Sequence, residues 1–141
     1  MQGNPAYHGE ESCSWHEIER LVKEIALQVN KSGVKYDCIL GITNGGIIPA
    51  KLLSRELGLD AIQFVPVRNK TMIKAEMPAL DAGKKYLVID DIYDTGDTYS
   101  KVAGALKDFR CDFCFCMSRH RSHRITGKVL NHNRWVVFPW E

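Results

Sequence analysis

The sequence predicts a single α/β domain built on a parallel sheet flanked by helices. Three observations carry that prediction. Apolar runs alternate along the chain with segments of helical periodicity. The runs are continuous rather than alternating in polarity, as strands buried on both faces require. The two most unusual polar segments, "GITNGG" at residues 41–46 and "DDIYDTGDT" at residues 90–98, each sit at the end of such a run. In sheets of this class ligands bind at the carboxyl ends of the strands, which is where both segments would lie.

The elements follow in order. Residues 1–13 read as a loose polar lead-in, and residues 14–141 as one domain. Ser14 followed three positions later by Glu17 has the pattern of a capping box. Ile18, Leu21, Val22, Ile25 and Val29 then recur at helical spacing until Gly33 supplies a stop. A short buried strand, Cys38–Ile42, leads through Thr43-Asn44-Gly45-Gly46 into a helix, Ile47–Leu57, closed by Gly58. Pro49 fits only in that helix's first turn. Residues 61–67 read as another strand. Residues 68–85 hold four lysines and no clean periodicity; a segment of that length in a compact domain is a functional lid or is disordered. The strand 86–89 precedes a helix over about 95–109, with Val102, Ala105 and Leu106 inward. Residues 111–117 and 135–138 read as the remaining strands.

Bulk properties exclude several classes. At 141 residues the chain can bury a core without disulfide or metal staples. A net charge of +2 makes no electrostatic case for a nucleic-acid binder. No apolar run approaches a membrane span, and the start lacks a basic-then-apolar signal. Five cysteines, an odd number, without such a signal read as reduced thiols in a cytoplasmic setting. The C-terminal third is locally basic, with Arg119, Arg121, Arg124, Lys128, Arg134, His120, His123 and His132. That cluster suits an anionic ligand or a solvated loop equally well.

The acidic segment carries the chemistry. Asp94-Thr95-Gly96-Asp97-Thr98 lies between a strand and a helix, so its amides begin that helix. Helix N-termini bind phosphate through free N–H groups and the macrodipole. Simple capping by Asp and Thr is the competing explanation. Asp90-Asp91 tilts the balance, because adjacent carboxylates at a strand end are suited to ribose hydroxyls or hydrated Mg²⁺. A phosphate cradle beside such a pair describes a sugar-phosphate site.

"LVIDDIYDTGDT" resembles the phosphoribosyl-pyrophosphate signature of the type I phosphoribosyltransferases, and Asp94 before Thr-Gly is similar to the branch acting on 6-oxopurines. "GITNGGIIPAKLLSRELG" resembles that family's pyrophosphate loop and following helix. "RWVVFPWE" resembles the C-terminal strand of the short bacterial xanthine-guanine enzymes. The resemblance implies a Rossmann-like sheet with a flexible loop and a small C-terminal hood. It also implies transfer of phosphoribose from phosphoribosyl pyrophosphate to hypoxanthine, guanine or xanthine in purine salvage, with Mg²⁺, by a homodimer or homotetramer.

On that resemblance Asp90 and Asp91 meet the ribose hydroxyls and Mg²⁺, partly through water. Asp94, Thr95, Gly96, Asp97 and Thr98 wrap the 5′-phosphate, and Asp94 accepts a proton from the attacking base. Thr43, Asn44, Gly45 and Gly46 hold pyrophosphate with their amides, with a cis peptide expected between Thr43 and Asn44. Arg68, Lys70 and Lys74 are loop candidates for pyrophosphate. Trp135 stacks on the purine, the Val136 backbone reads an exocyclic edge, and Arg119 stands nearest to the place of a purine-contacting lysine.

Three departures from the family pattern stand out. Asn44 replaces a basic residue, Asp97 puts a carboxylate in the phosphate cradle and is expected to point outward, and the purine-site lysine is missing. They support an alternative, a nucleotide-sensing protein with weak or no transfer activity. A zinc module from Cys111, Cys114, Cys116, His120 and His123 is disfavoured, because strand alternation puts Cys111 on the opposite face from the other two cysteines. A receiver-like domain fits the Thr-Gly loop poorly.

Overall fold

The computed structural model describes residues 7–121 and 124–141. His123, and residues 1–6 of the lead-in, lie outside them. In chain order the elements are β1 (Glu10–Ser12), α1 (Trp15–Ser32), β2 (Cys38–Ile42), α2 (Ile47–Leu57), β3 (Ile62–Val65), β4 (Val67–Arg68) and β5 (Thr71–Met72). A 3-10 turn (Lys74–Glu76), β6 (Lys85–Tyr93), α3 (Asp97–Ala105), β7 (Arg110–Ser118), β8 (Ile125–Val129) and β9 (Trp135–Val137) complete the chain.

Five strands form one parallel sheet in the order β3-β2-β6-β7-β8. One face carries α1 and α2, the other α3, giving two separate apolar clusters. Ser14 caps α1, its hydroxyl accepting from the Glu17 N–H at 3.1 Å. Ile18, Leu21, Val22, Ile25 and Val29 are each at most 3% exposed. Burial of each such side chain contributes about 1.5–3 kcal/mol, which is what holds α1 on the sheet. Among the described residues no helix is long and apolar enough to cross a membrane.

Several elements differ from the sequence reading. The lead-in is not loose throughout, since Glu10–Ser12 pairs in parallel with Trp135–Val137 as a two-stranded sheet apart from the main one. β9 therefore belongs to a small hood and not to the central sheet. β8 went unread because "ITGKV" carries glycine and lysine, both depleted in strands. α3 ends at Ala105, which is exposed; Gly104 weakens its last turn. Pro66, with no N–H to donate, divides the expected strand 61–67 into β3 and β4.

The long segment after β3 has structure of its own. Val67 pairs with Met72 and Arg68 with Thr71 in an antiparallel hairpin. Asn69 and Lys70 at its tip have φ of 52° and 61°, the backbone of a tight hairpin turn. Beyond the 3-10 turn, Met77 and Leu80 pack against the α3-side core. The cysteine-rich strand β7 sends Cys114 and Cys116 into one cluster and Cys111 toward the other. Burial pushes the Cys111 thiol up to about 11 and the other two further, so all three stay protonated hydrophobes.

Candidate active site

Pairing between β2 and β6 runs to Gly41 opposite Ile89. That register sets the loop after β2 beside Asp90 and Asp91, which lie within β6 and not beyond it. Asp90 is buried and Asp91 half-buried. The Asp91 N–H donates to Asp90 Oδ1 at 2.8 Å, and the Ile92 N–H to Asp91 Oδ1 at 2.7 Å. Burial raises both carboxyls above their ordinary value, and at Asp90 the neighbouring carboxylate adds to the effect. Two hard oxygen donors with no basic side chain between them suit a cation or sugar hydroxyls.

The loop at residues 43–46 is shaped by close approach. The Thr43–Asn44 peptide is cis. A Cβ on Gly45 would lie 2.3 Å from Asp91 Oδ2, and one on Gly46 would lie 2.4 Å from the Ile89 carbonyl oxygen. The structure narrows the predicted anion contacts. The Thr43 N–H donates to the Val65 carbonyl at 3.1 Å and the Gly46 N–H to the Ile42 carbonyl at 2.7 Å. Only the Asn44 and Gly45 amides of the loop remain to face an anion. The Thr43 side chain instead ties the loop to the next strand, its Oγ1 accepting from the Val67 N–H at 3.0 Å.

The second loop opens α3. Gly96 is the N-cap and offers no side chain, while the Thr95 Oγ1 accepts from the Asp97 N–H at 3.3 Å. Capping thus accounts for one amide and leaves the others of the first turn without a side-chain partner among the described residues. The Asp97 carboxylate is 54% exposed and pairs with Lys101 one turn on, at 3.3 Å. Asp97 also lines the cleft section that runs along this loop.

One polar cleft connects these parts. A section of about 430 Å³ is lined by Thr43, Asn44, Gly45, Lys70, Asp90, Asp91 and others. A second of about 430 Å³ shares Lys70, Asp90, Asp91 and Thr98 and continues along residues 92–99 to Trp135. A larger hollow of about 660 Å³ beside Tyr36, Phe113 and Arg121 has neither the acid pair nor a glycine loop. Of the loop candidates, Lys70 lines both sections, its carbonyl held by Lys101 Nζ at 2.7 Å. Arg68 borders the first section but pairs with Glu76. Lys74 is exposed in the 3-10 turn and lines neither section, since the turn carries it away from the cleft.

At the far end Asp94 is engaged on both oxygens. Arg119 Nε lies 2.9 Å from Oδ1, and the Tyr7 hydroxyl donates to Oδ2. The Arg119 guanidinium also donates to the His132 carbonyl at 3.1 Å and the Arg134 carbonyl at 2.7 Å. Tyr7 meets Trp135 edge-to-face at 5.1 Å between ring centroids. Burial, then the Asp94 carboxylate, raises the Tyr7 phenol above its ordinary value, so it remains a neutral donor. Trp135 N–H donates to the Gly9 carbonyl and the Cys13 N–H to the Val137 carbonyl, both at 2.8 Å. Alternate residues of a parallel strand bond to the same neighbour, so the Val136 backbone groups face away from β1. The rest of the basic stretch is partly paired, with Lys128 2.8 Å from Glu17 and Arg134 3.4 Å from Glu11. Sequence reasoning missed Tyr7 and Lys101, for which composition and spacing gave no signal.

A parallel sheet whose carboxyl edge holds an acid pair between two amide-bearing loops defines an α/β protein with a site suited to a sugar phosphate. The phosphoribosyl transferase domain model matches residues 10–140, and the chain belongs to that family. It is 26% identical over 139 positions to a xanthine-guanine phosphoribosyltransferase of Idiomarina loihiensis, covering 91% of this chain and 84% of that protein. Among solved structures, the purine phosphoribosyltransferase of Pyrococcus horikoshii superposes with a TM-score of 0.77 at 23% identity over 95% of each chain. The xanthine-guanine-hypoxanthine phosphoribosyltransferase of Helicobacter pylori gives 0.78 at 18% identity over 94% of this chain and 93% of its own.

Proposed function

We propose that the protein transfers the phosphoribosyl group of phosphoribosyl pyrophosphate to a 6-oxopurine (hypoxanthine, guanine or xanthine), releasing pyrophosphate and the nucleoside monophosphate. The observation that carries this reading is the continuous cleft. It runs from the Asn44 and Gly45 amides past Asp90 and Asp91 to the residue 94–98 loop and Trp135. Pyrophosphate meets the first amides and Lys70, the ribose hydroxyls meet the acid pair, and the 5′-phosphate meets the start of α3. The base N9 forms the new bond to C1′ as the bond to pyrophosphate oxygen breaks, and Asp94 takes the N7 proton.

The buried Asp90 and half-buried Asp91 carboxylates fit Mg²⁺, which takes one or two carboxylates together with substrate oxygens and water. When bound, it would offset their charge and that of the departing pyrophosphate. We further assign the protein to the cytoplasm, as a homodimer or homotetramer; light scattering tests the latter.

The test is pyrophosphate release from donor and Mg²⁺ with hypoxanthine, guanine, xanthine and adenine offered separately. Release with an oxopurine and not with adenine is expected. A second reading, nucleotide sensing without transfer, draws on Asn44 in the donor loop and on the engagement of both Asp94 oxygens. Donor binding with no release for any base selects it.

A further inference from the structure

Beyond Glu10 toward the N-terminus, the β1 ladder continues through two anchors. The Trp135 N–H donates to the Gly9 carbonyl and the His8 N–H to the Asn133 carbonyl, both at 2.8 Å. Gly9 has a φ of +89°, a conformation that L side chains rarely adopt. That turn sends Tyr7 back over the strand that carries Trp135. Glu11, in the same arm, pairs with both His132 and Arg134. The arm is thus fastened to the hood, and Tyr7 is its last described residue.

Tyr7 lines the cleft section that contains Asp94 and Trp135. Its hydroxyl holds Asp94 Oδ2, its ring abuts Trp135, and the Arg119 guanidinium carbon lies 4.7 Å from its centroid. A planar ring with one donor directed at the carboxylate is what a purine with a protonated N7 would present there. With Tyr7 in this position, a base cannot lie between the two rings. A base inserted between two aromatic rings needs about 3.5 Å on each side, or roughly 7 Å in all. The Tyr7 and Trp135 centroids are 5.1 Å apart and inclined at 64°.

We propose that Tyr7 is a specificity residue that occupies the base end of the cleft, so that a purine binds only by displacing it from Asp94 and Trp135. This rests on the assignment of Asp94 and Trp135 to the base. Displacement selects for ligands that replace the phenol's hydrogen bond with a donor of their own. An aromatic base lacking a donor beside Asp94 leaves that carboxylate oxygen without its partner.

The probe is 9-deazaguanine, which keeps the N7–H and has carbon in place of the attacking nitrogen, so it binds without turning over. Its affinity is measured by calorimetry with donor and Mg²⁺ for the wild-type chain, Tyr7→Phe, Tyr7→Ala and Gly9→Val. Tyr7→Ala is expected to bind roughly tenfold to a hundredfold tighter, the range set by one hydrogen bond to a charged group. Tyr7→Phe falls between it and wild type. Gly9→Val keeps the phenol but strains the turn that aims it, and tightens binding in the same direction.

Equal or weaker binding by Tyr7→Ala, or binding by none of the four proteins, overturns the proposal; weaker binding would make Tyr7 a wall of the site. Pyrophosphate release on the same proteins is read separately. Tighter binding without release in any of them retires the transfer reaction and leaves the occupancy standing. Release with a base KM indifferent to Tyr7 does the reverse.

Discussion

At the donor end of the cleft, two short contiguous segments present backbone: residues 43–46 after β2 and residues 94–98, which run into the first turn of α3. At the base end, side chains converge from four distant places, Tyr7, Asp94, Arg119 and Trp135. At the donor end the Asn44 and Gly45 amides have no backbone partner among the described residues, and Asp97 pairs with Lys101. At the base end the Asp94 carboxylate is already engaged by the chain's own groups, while the buried Trp135 Nε1 has no hydrogen-bond partner among the described residues. Backbone amides at a loop serve any phosphate and need little tuning, whereas a site made from side chains is available to whatever side chain reaches it. Affinity for the donor and access for the base are thus separate properties, open to separate change.

Asp94→Asn tests that separation most strongly. Losing the proton acceptor is expected to lower turnover by about 10²–10⁴. Donor affinity, measured by calorimetry, should hold. Comparable losses in both would return Asp94 to the phosphate cradle and remove it as the base's partner.

Gly45→Ala strikes the other end. The added methyl would stand 2.3 Å from Asp91 Oδ2, so the loop or the acid must shift, at about 1–3 kcal/mol of stability. Urea unfolding reads that loss. Donor binding should weaken with it, while 9-deazaguanine binding without donor stays as in wild type.

A change remote from both ends sets the baseline. Lys128 donates to Glu17 at 2.8 Å and lowers the Glu17 carboxyl below its ordinary 4.5. A depressed carboxyl contributes stability that is present above pH 4.5 and lost as pH falls through the folded value. Glu17→Gln should cost under about 1 kcal/mol at neutral pH and flatten that acid dependence in thermal melts. Neither donor nor base affinity should move.

The smallest effect is expected at Lys101, which joins the tip of the β4–β5 hairpin to α3 through the Lys70 carbonyl and Asp97. Lys101→Ala should change stability by less than about 0.5 kcal/mol. Its signature is faster amide exchange at Asn69 and Lys70, accompanied by a modest rise in donor KM and none for the base.

The same contrast explains what could be read before the structure. The loops at residues 43–46 and 94–98 were legible because their requirements are local: glycine where backbone must approach, Thr and Asp where a helix begins. Which amides stay free was not, because Thr43 and Gly46 direct theirs to carbonyls of Val65 and Ile42. Lys74 looked equivalent to Lys70 in sequence, and only the hairpin and 3-10 turn separated them. Tyr7 sits in a polar stretch with no periodicity, and nothing near it in sequence mentions Asp94 or Trp135.

Sequence by itself determined the parallel α/β plan, the helix limits at Ser14, Gly33 and Gly58, and the placing of acid pair and glycine loops at strand ends. Those features follow from hydrophobic period, capping and backbone freedom, which act over a few residues. Tertiary structure decided the hood made by β1 and β9, the route of the Arg119 guanidinium and the residence of Tyr7 at the base end. Each depends on groups distant in sequence becoming neighbours once the sheet forms, and short-range preferences carry no record of that.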